Sequence, residues 1–225
     1  MCIRDSAYDQ KMIMKRENIA STGIWTAKKR YILNVWDSEG VRYEEPKLKI
    51  MGIEAIKTST PAPCRKFLKD AFTLLMSGTE DEVIDYIEEC RTQFNKLPPE
   101  EVAFPRSVSN VEKWKSSSDM YNKGCPIHVR GAILYNHWTV KKKIDHKYAT
   151  INNGEKIKFC YLKTPNWMHE NVISFIQDFP RELDLDKHID YELQFNKSFL
   201  EPVKVILDCI GWETERKNTL ESFFS

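Results

Sequence analysis

The sequence has no apolar run long enough to span a bilayer and no secretory core at its start. It also has almost no net charge. Its 34 Lys and Arg stand against 33 Asp and Glu, a formal +1. That balance denies it the global field of a basic nucleic-acid binder, so a polyanion would have to be met by local clusters. Its six cysteines, Cys2, Cys64, Cys90, Cys125, Cys160 and Cys209, contain no C-x-x-C. With its five histidines they make no zinc spacing, so no metal is assigned. The cysteines read as reduced thiols and the protein as intracellular. There is no phosphate-binding loop, no nucleophile elbow, no internal repeat and no low-complexity tract.

What is there supports a packed protein. The chain has 225 residues, enough for one large domain or two small ones, and 41% hydrophobic content argues against disorder. The opening "MCIRDS" has no periodicity and reads as translated adapter sequence, foreign to the rest of the chain. Residues 8–22 are polar and read as connective. From Trp25 to Val35, alternate residues Trp25, Ala27, Lys29, Tyr31, Leu33 and Val35 predict one strand face. A turn at Asp37-Ser38-Glu39-Gly40 then predicts a β-hairpin with Val41-Arg42-Tyr43. "LKIMGIE" (48–54) predicts another strand, its Gly permitting a bulge or close approach.

The texture changes at "TSTPAP" (58–63). Ser59 or Thr60 can cap a helix carrying Phe67, Leu68, Ala71, Phe72 and Leu75. Gly78 ends it. Thr79 and Glu82 form a capping-box pattern for a second helix with the stripe Val83, Ile84, Ile87, Cys90, Phe94 and Leu97. "CPIHVRGAILYNHW" (125–138) predicts a helix with Pro126 at its start, "EKIKFCYLK" (155–163) a strand, and residues 169–179 and 186–210 helices interrupted at Pro180 and Pro202. The fold class expected is α+β, a small antiparallel β part followed by a mainly helical one.

Lys28-Lys29-Arg30-Tyr31 is the densest cluster with a chemical reading. As a strand it places Lys29 with Tyr31 on one face and Lys28 with Arg30 on the other. Clustered cations suit phosphate oxygens, and a lysine can also reach minor-groove acceptors. Gatekeeper charges on a solvated strand end are the alternative.

The stretch "WTAKKRY…GVRYEEPKLKIMGIEAIKTSTP" closely resembles the segment after the catalytic palm motifs in family B DNA polymerases, in particular replicative polymerases of T-even-type tailed bacteriophages. "CPIHVRGAILYN" (125–136) resembles the family's thumb and "YELQFNKSFLEPVKVIL" (191–207) its last helical stretch. The resemblance runs from Tyr8 onward. It implies a non-native leader at 1–7, the end of a palm with the basic hairpin at 8–57, a thumb at 58–212, and a tail with a clamp-binding peptide at 213–225. It further implies that Lys29 probes the minor groove of new base pairs, that Tyr31 supports the primer strand, and that Lys28 and Arg30 lie near the backbone. A mismatch would then loosen the grip.

The family's D-x-x-S-L-Y-P-S and D-T-D-S motifs, whose aspartates hold the two catalytic metal ions, are absent. Asp184 and Asp186 have D-x-D spacing but read as carboxylates at a helix start. The chain is therefore expected to be the carboxyl-terminal part of a DNA-directed DNA polymerase, inactive alone, with no cofactor of its own and Mg implied for the whole enzyme. His128 and Arg130 could meet phosphate near a helix start, or serve as capping or core-edge residues. Lys141, Lys142, Lys143 and Lys147 form a basic loop, a solvated turn or a duplex contact. At the tail, Leu220, Phe223 and Phe224 stand as in L-x-x-F-F, the apolar part of a sliding-clamp binding box, although Lys217 replaces its usual Gln. Docking back onto the chain is the alternative. The expected partners are primer–template duplex, a sliding clamp and the missing amino-terminal and catalytic portion, with no membrane, in the cytoplasm of an infected bacterial host. If about five cations met phosphate, log affinity would fall with log salt at a slope of about −4 to −5. A separately encoded, non-catalytic DNA- and clamp-binding subunit is the second reading, separated by whether a genuine gene start lies upstream.

Overall fold

The computed structural model describes residues 10–116 and 119–216. They divide into two compact units after Gly52. The fold is α+β: each unit holds one three-stranded antiparallel sheet, and the helices belong to the second.

The first unit is a meander of β1 (Asn18–Ala27), β2 (Arg30–Ser38) and β3 (Val41–Met51), with β2 in the centre. Ile24, Ile32 and Ile50 are cross-strand partners on one face, and Trp25, Tyr31 and Met51 on the other. Such directly opposed pairs are the unit of sheet stabilisation. The β2–β3 turn sits where the sequence puts it. Glu39 and Gly40 both have positive φ, +54° and +91°, as a two-residue hairpin of primed type requires. The Asp37 carboxylate locks it by accepting the Gly40 N–H at 2.9 Å and pairing with Arg16 at 3.2 Å.

Two expectations for this unit are corrected. Part of the stretch expected to be connective is β1, whose polar positions lie on an exposed outer strand. The alternation across Lys28–Tyr31 is also broken. Ala27 pairs with Arg30, so Lys28 and Lys29 form a two-residue turn, with Lys29 left-handed at φ +64°. The lysines therefore do not alternate with Arg30 and Tyr31 across a strand.

In the second unit, α1 (Ala62–Ser77) and α2 (Glu80–Phe94) form the expected helical hairpin. The Thr79–Glu82 capping box is present in both directions, and Val83, Ile84, Ile87, Cys90 and Phe94 are buried. Ser59 and Thr60 do not cap α1; Pro61 occupies the cap position without a side-chain hydrogen bond. Gly78 ends α1 with extended backbone, and a β-carbon there would lie 2.8 Å from both Leu74 O and Glu82 Oε2.

After a short helix α3 (Pro99–Val102) comes β4 (Phe104–Ser107), then a single turn α4 (Val111–Trp114) and α5 (Ile127–Lys141). The strand β5 (Lys156–Tyr161) is central, between β4 and β6 (Val172–Phe175). The part expected to be mainly helical thus contains a sheet, and 169–179 is not a helix. Val172, Ile173, Ser174 and Phe175 are all buried, so β6 shows no alternation to read. The helix α5 crosses β6 at Gly131, where a β-carbon would lie 2.4 Å from Ser174 Oγ and 2.9 Å from Ser174 N.

The final segment is broken into a 3-10 turn Asp186–His188, α6 (Tyr191–Phe195), a π-helical turn Asn196–Leu200 and α7 (Glu201–Leu207). Pro202 does not interrupt it: Glu201 N–H reaches Asn196 O, five residues back, and the wider turn takes the proline at the start of α7. Phe94 meets Phe195 at 5.4 Å and Tyr191 at 6.2 Å, and Phe67 meets Phe199 at 6.2 Å, which seats this segment on the helical hairpin. Fully buried Gln194 ties it to the sheet by accepting from Tyr161 N–H at 3.1 Å and donating to Val102 O at 2.7 Å.

Candidate nucleic-acid interface

The Lys28–Lys29 turn is the exposed tip of the first unit. Both lysines are exposed, and neither makes an ion pair among the described residues. Beside them, Arg30 and Tyr31 are half-buried, and Tyr31 stands in register between Trp25 and Met51. At the turn's base, Thr26 Oγ1 lies 3.5 Å from Arg30 O.

The end of β3 closes on this turn. Gly52 has φ +68°, and a β-carbon on it would sit 2.2 Å from Lys29 O and 3.2 Å from Arg30 Cγ. The sequence reading of Gly52 as a point of close approach is met, and the group approached is the backbone of Lys29.

In the second unit the candidate cations are differently placed. His128 is the second residue of α5, and its carbonyl accepts from Ser174 Oγ at 2.9 Å. Burial, and then the nearby Arg106 guanidinium, push its imidazole below its ordinary value, so at neutral pH it offers an N–H but no charge. Arg130 donates to Asn171, lies 3.9 Å from Glu170 Oε2 and stands 5.5 Å from the Tyr121 ring centre. Glu170 also accepts the Tyr121 hydroxyl at 2.6 Å. The guanidinium therefore holds two loops against α5. In the basic loop, Lys147 pairs with Glu182, while Lys141 and Lys142 lie 4.4 Å from the ring centres of Trp138 and Trp167.

Sequence reasoning missed one cluster in this unit. Arg65, Lys66 and Lys158 share a cleft with Glu100 and Glu101 at the start of α1. Its members come from three separate stretches of the chain, so no local pattern shows the cluster, and the carboxylates offset its positive charge. Asp184 ends a 3-10 turn at φ +52° and lies 3.9 Å from Lys187; Asp186 begins the next 3-10 turn rather than an α-helix. Among the described residues no group of His, Cys, Asp or Glu could hold a metal ion, and no helix is long and apolar enough to cross a membrane. The five described cysteines are free thiols. Leu220, Phe223 and Phe224 lie outside the described residues.

Comparison with known proteins adds the class. The chain is similar over its whole length to DNA-directed DNA polymerases. The polymerase of Escherichia phage RB69 is 33% identical over 237 aligned residues, covering 100% of this chain and 26% of that protein. The polymerase of Enterobacteria phage T4 is 29% identical over 206 residues, covering 90% of this chain and 22% of that protein. This chain is thus related to the T-even phage DNA polymerases, and the match is consistent with their carboxyl-terminal region. It spans about a quarter of the length of these relatives. No family model matches it.

Proposed function

We propose that this chain is the carboxyl-terminal part of a family B replicative DNA polymerase, the end of a palm followed by a thumb, and that it grips primer–template duplex without regard to sequence. The observation that carries the reading is the Lys28–Lys29 turn: two adjacent, exposed cations without acidic partners among the described residues, at the tip of a sheet whose next residues are Arg30 and Tyr31. Similarity to two phage polymerases supports it. Phosphate contacts from such cations fix position and orientation, and a lysine at a turn can enter a minor groove, where a mismatch displaces the acceptors.

The geometry sharpens the expected salt dependence. His128 is uncharged at neutral pH and Arg130 shares its charge with Glu170. The exposed cations of the turn are Lys28 and Lys29, and two phosphate contacts give a log–log slope of about −2. The test is binding to a fluorescent primer–template duplex across a salt series. Salt-insensitive binding, or none, overturns the reading.

Nucleotide addition is not part of the role proposed for this chain. The Mg ions of polymerase chemistry find no ligand set among the described residues, and no step of the grip runs through them. The catalytic aspartates are proposed to come from another part of the polymerase, and primer extension by this chain alone would contradict that. The Leu220, Phe223 and Phe224 tail is proposed to tether the polymerase to a sliding clamp. Clamp capture undiminished by Leu220→Ala would remove that assignment.

A further inference from the structure

We infer that Gly52 is a positioning residue for the duplex grip, acting through the backbone of Lys29; this rests on the duplex-gripping reading. Three observations lead to it. Lys29 is left-handed at φ +64°, a conformation Gly, Asn and Asp tolerate better than Lys, so the turn's own sequence does not favour it. Gly52 also has positive φ and passes so close to the turn that a β-carbon would lie 2.2 Å from Lys29 O and 3.3 Å from Lys29 C. The nearest atom in the way is the Lys29 carbonyl oxygen, so it can yield only by moving the Lys29–Arg30 peptide, and with it the direction of the Lys29 side chain. Finally, Tyr31 pairs with Met51, so Gly52 is the first residue past the ladder, beside the turn rather than within the paired strand. The end of β3 thus serves as a seat that holds Lys29 left-handed. Only a residue without a side chain lets it approach that far.

The same sheet supplies the control. Gly40 has φ +91°, and a β-carbon there meets nothing within 4 Å. Gly40→Ala strains the meander at its far turn without touching Lys29. Gly52→Ala both strains φ and collides with the Lys29 carbonyl.

The experiment measures duplex affinity across a salt series, with thermal melts of the same samples, for the whole chain and for Gly52→Ala, Gly40→Ala, Lys29→Ala and Gly52→Ala/Lys29→Ala. Gly52→Ala is expected to weaken binding about tenfold at low salt and to make the slope shallower by about one. Gly40→Ala should stay within about twofold of the unsubstituted chain, because it leaves every phosphate contact in place. In the Lys29→Ala background Gly52→Ala should cost nothing more, which a merely structural glycine would not show. Unchanged binding by Gly52→Ala, or losses that add with Lys29→Ala, overturn the inference. If Gly52→Ala melts below the binding temperature, Gly52→Asn takes its place, since Asn tolerates positive φ and isolates the collision. A chain that unfolds with both substitutions also overturns the positioning role. If the unsubstituted chain does not bind duplex, the parent reading fails with it. If it binds and Lys28→Ala/Lys29→Ala weakens it while Gly52→Ala does not, only the inference fails.

Discussion

The hairpin tip of the first unit and the loops of the second treat positive charge in opposite ways. In the first, Lys28 and Lys29 sit at a hairpin tip with no carboxylate partner among the described residues. In the second, two cations singled out from the sequence are engaged within the fold: Arg130 faces Glu170 and Asn171, and Lys147 pairs with Glu182. Arg91 behaves the same way, reaching Glu192, Glu88 and Glu215 while covering Phe195. Residue type and local clustering look alike in the two places. The long-range neighbours differ, and they decide whether a cation is available to a phosphate or already serves to hold loops and helices together.

If the second unit carries stability and the hairpin carries charge, substitutions in the two should separate cleanly. The largest effect belongs to Phe94→Ala. It empties a fully buried site between Tyr191 and Phe195 and should cost about 3–5 kcal/mol in denaturant unfolding. Lys28→Ala/Lys29→Ala should do the reverse, weakening duplex binding about 10- to 100-fold at low salt while changing stability by less than about 0.5 kcal/mol. A stability loss as large as that of Phe94→Ala would erase the distinction.

Smaller tests sharpen it. Thr79→Ala removes the capping box and should destabilise by about 1 kcal/mol, with duplex affinity unchanged. The smallest effect is a pH dependence. Hydrogen bonds from Lys147 and then Tyr148 lower the Glu182 carboxyl from 4.5 to about 2. A depressed carboxyl stabilises the fold above its unfolded value, and that contribution is lost as pH falls through the folded one. Melts taken from pH 5 downward should therefore fall less steeply for Glu182→Gln, an effect kept small by solvent screening. Superimposable acid limbs would remove Glu182 as a partner of any consequence.

Much of this was legible locally. Thr79 and Glu82 announce their helix because a capping box is a contact across three residues. Lys156–Tyr161 alternates because one face of a central strand is covered differently from the other. Gly52 reads as a close approach, although its partner is found only in three dimensions. The Lys28–Lys29 turn was hidden because lysine carries no turn signal; the pairing of Ala27 with Arg30 and of Trp25 with Tyr31 imposes it. The strand β6 was hidden because four consecutive buried residues have no period, and Gly131 shows its contact with α5 only once both elements are placed. Arg130 looked available because Glu170 and Asn171 lie some forty residues away in the chain.

The most direct test of the central claim compares salt slopes for primer–template binding by the unsubstituted chain, Lys28→Ala/Lys29→Ala and Lys147→Ala. The slope is expected to become shallower by about two in the hairpin variant and to stay unchanged in Lys147→Ala, whose cation already pairs with Glu182. A hairpin variant that keeps the full slope, or a Lys147→Ala chain that loses it, would contradict the assignment of the grip to the exposed lysine turn.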